Sequence, residues 1–185
     1  MNNINNKKGF TVIELILSFA LVMFLAVAMF AVVNNYRARQ QKETINRELT
    51  KLKTTLTQDI YEDITNKKLK KIEYCKDAQG EIIKQCVYVY FQDGTNKQLK
   101  VNMEDATDNS IPGTTFKYEE FSIVYGKVKY PNPAPKFAKI VSDYMLTYST
   151  EEDELEYGTI YKIQIRIAHQ DIKDEFKIEV VATGV

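Results

Sequence analysis

The apolar positions change rhythm twice along the chain. From Leu15 to Val33 only Ser18 is polar, and a helix of about 20 such residues matches the hydrocarbon core of a bilayer. Beyond Val33 the pattern turns amphipathic. Ile45, Leu49, Leu52, Leu56, Ile60 and Ile64 recur three or four apart, which places them on one stripe of a helix. Glu43, Arg47, Glu48, Lys51 and Lys53 take the other faces. Residues 10–66 hold no Pro or Gly. The spacing therefore predicts one helix from about Thr11 to Asn66, roughly 80 Å long at 1.5 Å per residue.

After Leu69 the period shortens to two. Val87, Val89 and Phe91 alternate with Tyr88 and Tyr90, and Leu99, Val101 and Met103 follow the turn residues Asp93-Gly94-Thr95-Asn96. Tyr161, Ile163, Ile165 and Ile167 alternate with Lys162, Gln164 and Arg166, as Phe176, Ile178 and Val180 do with Lys177 and Glu179. Such alternation predicts antiparallel strands with one buried and one wet face. Residues 114–130 and 139–149 are further strand candidates, separated by the loop Pro131-Asn132-Pro133-Ala134-Pro135. The predicted fold class is α+β: a long N-terminal helix, half transmembrane and half amphipathic, packed on an antiparallel β-sheet that buries its stripe.

Composition adds little to this division. The 185 residues carry 25 basic and 25 acidic side chains, a neutral balance that gives no support to a polyanion partner. The roughly 120 residues after the helix suffice for one domain with one core.

The N-terminus carries the candidate chemistry. Glu14 sits at the start of the apolar run, where a carboxylate is costly and marks function by default. An ordinary secretory signal has a shorter apolar region and a small-residue cleavage site; this run ends in Val33-Asn34-Asn35-Tyr36-Arg37. A plain signal anchor accounts for the length but not for Glu14 or the Gly9-Phe10 step.

The segment Lys7-Lys8-Gly9-Phe10-Thr11-Val12-Ile13-Glu14-Leu15 closely resembles the N-terminal motif of type IV pilins and of the pseudopilins of type II secretion. That pattern is a basic leader ending in Gly, then Phe, then Glu as the fifth mature residue, then an apolar helix. The resemblance implies cleavage by a prepilin peptidase between Gly9 and Phe10, and N-methylation of the new Phe10 amine. It implies that leader residues Lys7 and Lys8 stay cytoplasmic and that Glu14 neutralises the terminal amine of a neighbouring subunit. Other pilin or pseudopilin subunits and an inner-membrane assembly platform are the implied partners. The implied location is the cytoplasmic membrane, crossed once, with the C-terminal domain outside the cytoplasm, and then the filament. Residues 1–9 are then the leader, 10–33 the membrane or filament-core helix, 34–66 the amphipathic spine and 67–185 the β-rich domain. Residues 49–60 resemble the leucine-stripe segment of minor pilins and J-type minor pseudopilins; the stripe itself reads as packing on the chain's own sheet, with coiled-coil pairing to a neighbour as the alternative, and the large, loop-rich domain favours a minor component. Many pilins carry a Pro further along this helix; this chain does not.

The residues suit these roles. Gly9 lets a protease approach its carbonyl closely. Lys7 and Lys8 favour a cytoplasmic leader, with Arg37 and Arg39 opposing them on the far side. Phe10 and Glu14, four apart, share a helix face, and a first-turn carboxylate suits the helix dipole. The alternative for Glu14 is snorkelling to the interface.

Cys75 and Cys86 bracket Asp77-Ala78-Gln79-Gly80, and both a disulfide and two free thiols fit this spacing; an extracytoplasmic domain favours the disulfide. Zinc is not expected from two Cys and one His. Lys67, Lys68, Lys70 and Lys71 read either as cations at a helix C-terminus or as a patch for DNA. Without interleaved aromatics the first is favoured. Glu151-Glu152-Asp153-Glu154 lacks the ligand spacing of a calcium loop, and His169 shows no partner in sequence. No phosphate loop, HExxH or nucleophile elbow occurs. A structural subunit is expected rather than an enzyme, with no cofactor or metal. The alternatives are a membrane-anchored binding or sensor domain that never polymerises and a DNA-binding competence pilin.

Overall fold

The computed structural model describes residues 11–108, 112–130, 137–148 and 158–184. The chain divides into two compact units, Met1–Glu43 and Thr44–Val185. One helix, α1 (Val12–Lys67), supplies residues to both. In the first unit its apolar side chains from Val12 to Val33 are exposed, apart from a half-buried position at Ala26. In the second unit it buries Leu49, Leu52, Leu56 and Ile60, with Ile45 and Ile64 partly buried beside them. That is the stripe the three-and-four spacing predicts.

Two antiparallel sheets supply the other side of this core. The first is a five-stranded meander of β1 (Leu69–Lys76), β2 (Ile82–Phe91), β3 (Asn96–Asp108), β4 (Phe116–Tyr125) and β5 (Val128–Tyr130). The second contains β6 (Ala138–Ile140), β7 (Leu146–Tyr148), β8 (Thr159–His169) and β9 (Phe176–Gly184). In it β9 runs along one edge of β8, while β6 and β7 share the other. Both sheets send alternate side chains inward: Val87, Val89, Phe91, Leu99, Val101, Phe121 and Ile123 from the first, and Ile163, Ile165, Ile167, Ile178 and Val180 from the second. Each large apolar side chain removed from water in this way contributes about 1.5–3 kcal/mol.

Four sequence expectations are corrected. A single sheet was the simplest partner for the stripe, and the structure uses two. The candidate 114–130 divides into β4 and β5, because the chain reverses at Gly126 (φ 60°) and the Gly126 N–H donates to the Gln98 carbonyl at 2.8 Å. The candidate 139–149 divides into β6 and β7. Between them the Arg166 N–H donates to Ser142 Oγ at 2.6 Å and the Gln164 N–H to the Met145 carbonyl at 2.8 Å, so this stretch follows β8 off the regular ladder. Met103, counted with the inward set, is exposed. The Pro131–Pro135 loop and the acidic run Glu151–Glu154 lie outside the described residues.

The helix passes into the sheet through one residue. Lys68 adopts φ 55°, a left-handed conformation of the kind that commonly ends helices, and its carbonyl accepts from the Gln92 N–H at 3.0 Å. Two tyrosines then close strand edges. The Tyr61 hydroxyl meets the carbonyl and N–H of Val181 in β9 at 3.2 and 3.3 Å. The Tyr74 hydroxyl does the same for Leu146 in β7 at 2.7 and 2.8 Å. Backbone groups that an open edge leaves unpaired are thereby satisfied.

A polar seam fixes α1 to the first sheet. Asp59 accepts from the Tyr130 hydroxyl. Asp63 accepts from Lys97 Nζ at 2.5 Å and pairs with Lys67 at 3.4 Å. Burial raises the Asp63 pKa, but the Lys97 hydrogen bond and charge, the nearby Tyr125 hydroxyl and Lys67 together outweigh it and hold the carboxyl below its ordinary value. Burial and the Asp63 charge push the Tyr125 phenol well above its ordinary range.

Candidate functional site at the start of the apolar helix

Thr11 immediately precedes α1, and Glu14 is the third helical residue. The Thr11 N–H and hydroxyl both donate to Glu14 Oε2 at 2.9 Å, and the Glu14 N–H reaches Thr11 Oγ1 at 3.3 Å. This is a reciprocal capping box: each side chain satisfies a backbone donor that the helix leaves free. It starts the helix at Val12 and directs the carboxylate back toward the chain terminus. Removing such a cap costs about 1 kcal/mol. The sequence reading passed over Thr11, although the Thr-x-x-Glu spacing before an apolar run is the signal for it.

The surroundings of Glu14 are apolar and unpacked. Val12, Ile13, Leu15, Ile16 and Leu17 are all exposed, Leu15 by 64 %. Among the described residues α1 is the helix long and apolar enough to cross a membrane. An apolar surface this large, left exposed among the described residues of its own unit, needs lipid or protein to cover it. Lys7, Lys8, Gly9 and Phe10 lie outside the described residues.

The other residues singled out from sequence fall elsewhere. Cys75 and Cys86 are bonded to each other in the β1–β2 hairpin and buried. The turn between them is closed by Asp77 Oδ1, which accepts from the Gln79 and Glu81 N–H groups at 2.9 and 2.8 Å. Two of the four clustered lysines have acidic partners: Lys67 with Asp63, and Lys71 with Glu73 at 2.9 Å. Lys71 also lies 5.1 Å from the Tyr90 ring centre. His169 is buried, and its Nδ1 accepts from the Asp171 N–H at 3.1 Å with the Asp171 carboxylate 3.9 Å away. Its partner thus lies two residues further on, where the sequence reading saw none. Among the described residues no group of three or more His, Cys, Asp or Glu is placed to hold a metal ion.

The family model of the prokaryotic N-terminal methylation motif matches residues 4–30. The chain therefore carries the signature of type IV pilins and pseudopilins. No curated protein and no solved structure matches the chain.

Proposed function

We propose that this chain is a prepilin-like structural subunit, cut between Gly9 and Phe10, N-methylated on Phe10, and assembled into a type IV pilus or type II secretion pseudopilus as a minor component. Before assembly, residues 10–33 hold it in the cytoplasmic membrane, with Lys7 and Lys8 inside and the β-rich domain outside. The observation that carries this reading is the methylation motif laid over an exposed apolar helix. A lone carboxylate in that helix finds its full counter-charge in the terminal amine of a neighbouring subunit, which offsets the cost of burying both. The capping box supports this role, because it points the Glu14 carboxylate toward the chain terminus.

Mass spectrometry of the chain made together with a prepilin peptidase tests the processing step. N-methyl-Phe10 as the first residue is the expected result; an intact Met1 overturns it and favours the membrane-anchored binding domain. Glu14→Ala is expected to leave cleavage intact and to lower incorporation into filaments by an order of magnitude or more. Unchanged incorporation removes the assembly role. The DNA-binding reading draws some support from the Lys71–Tyr90 contact. The ion pairs of Lys67 and Lys71 weigh against it, and a gel shift of the full chain at moderate salt decides it.

A further inference from the structure

Immediately after the apolar run, the first unit presents a cationic and aromatic belt. Tyr36, Arg37, Arg39 and Lys42 follow Val33, and the first acidic residue after Glu14 is Glu43, which closes the belt. Val32, Asn35, Tyr36, Ala38, Arg39 and Lys42 lie together on one open side of the helix. Tyr36 is exposed, and its hydroxyl accepts from Gln40 Nε2 at 2.9 Å. The phenol tip is thereby tied to the turn on the polar side of its own ring.

We propose that Tyr36, Arg37, Arg39 and Lys42 form a binding surface for anionic phospholipid headgroups, selected by the phosphate and set at the outer end of the membrane-spanning segment. The proposal rests on the reading that residues 10–33 span the bilayer. The heights fit. At 1.5 Å per residue, Tyr36 and Arg37 lie about 5–6 Å beyond Val33 and Arg39 about 9 Å beyond it, within or just above a headgroup layer about 5–7 Å deep. Lys42 lies about 13 Å beyond it. Helical side chains lean toward the N-terminus of their helix, which here is the membrane side, so Arg39 and Lys42 reach back toward the phosphates. Tyrosine rings settle at this level for their own reasons, apolar body inward and hydroxyl at the water. Three cations against one neighbouring acid, Glu43, leave a positive balance that complements an anionic lipid, each cation adding attraction near a charged surface.

The test uses the full chain in vesicles of phosphatidylcholine with a minor share of phosphatidylglycerol. Selectivity is read from spin-labelled phosphatidylglycerol against spin-labelled phosphatidylcholine. The unaltered chain is expected to prefer phosphatidylglycerol, and the variant R37Q/R39Q/K42Q to lose that preference by about tenfold. The variant K7Q/K8Q keeps the outer belt and accounts for the leader's own share. Raised salt is expected to weaken the preference of the unaltered chain. Equal selectivity of the unaltered chain and the triple variant, both inserted, overturns the proposal alone. Failure of the unaltered chain to float with the vesicles overturns the membrane reading beneath it. Cross-linking of these positions to acidic residues of a second copy, without lipid selectivity, assigns the belt to a subunit contact and also overturns the proposal.

Discussion

Leu21 and Leu56 belong to the same helix, yet Leu21 is 58 % exposed and Leu56 is fully buried. Hydrophobicity does not explain the difference, since the segment around Leu21 is the more apolar of the two. The amphipathic part of α1 has its partner in the chain, in two sheets whose inward faces match its stripe. Among the described residues of its own unit the apolar part has no such partner. An amphipathic stripe is a request for a specific surface, whereas an all-round apolar helix asks only for an apolar medium. One half of α1 is thus specified by the fold, and the other by whatever environment receives it.

The sharpest way to break this contrast is a matched pair of truncations. Leu56→Ala opens a cavity in the core and is expected to lower the unfolding free energy by about 2–5 kcal/mol. Leu21→Ala is expected to leave it unchanged. Urea unfolding of the full chain in one detergent, followed by a β-sheet signal, checks both. Equal losses would mean that the two halves share one core. Next in size is the Cys75–Cys86 bond. Replacing both residues by Ser is expected to cost about 2–3 kcal/mol, as for other short closed loops; an unchanged urea midpoint counts against any contribution from the bond.

The polar seam gives a smaller effect with a pH signature. Asp63→Asn weakens the Lys97 and Lys67 contacts and is expected to cost about 1–3 kcal/mol at neutral pH. The folded carboxyl titrates below its unfolded value. Its contribution is therefore present above about pH 4 and is lost as pH falls through the folded value. The variant should flatten the acid limb of the stability curve, and a limb identical to the parent's would exclude Asp63 as its source. Smallest is Tyr61→Phe, which removes two hydrogen bonds at the β9 edge and is expected to cost about 1 kcal/mol. Faster amide exchange at Val181 is its local readout.

Local periodicity explains how much of this was legible in the sequence. The stripe from Ile45 to Ile64 and the alternation at Ile163–Ile167 and Ile178–Val180 each depend on neighbours within a few residues, and they predicted the helix and the strand faces. The division into two sheets depends on which strands pair. Gly126 and the Ser142–Arg166 contact decide that through partners far apart in sequence, with no rhythm to announce them. Tyr61 and Tyr74 were invisible for the same reason, since each meets a strand edge more than 70 residues away. At the candidate site the motif around Glu14 was readable because it is contiguous. Thr11 is equally readable, because the Thr-x-x-Glu spacing of its cap is contiguous too.

The single-residue passage at Lys68 also has a mechanical consequence. Tension carried along α1 enters the sheet at Leu69 without a slack loop to absorb it. The ladder from Leu69 to Tyr74 can open pair by pair, because hydrogen bonds loaded in this way break singly. Cys75 then meets its covalent bond to Cys86, and the tear stops there. In this arrangement the disulfide, beyond its share in equilibrium stability, acts as a rip-stop when the helix is pulled.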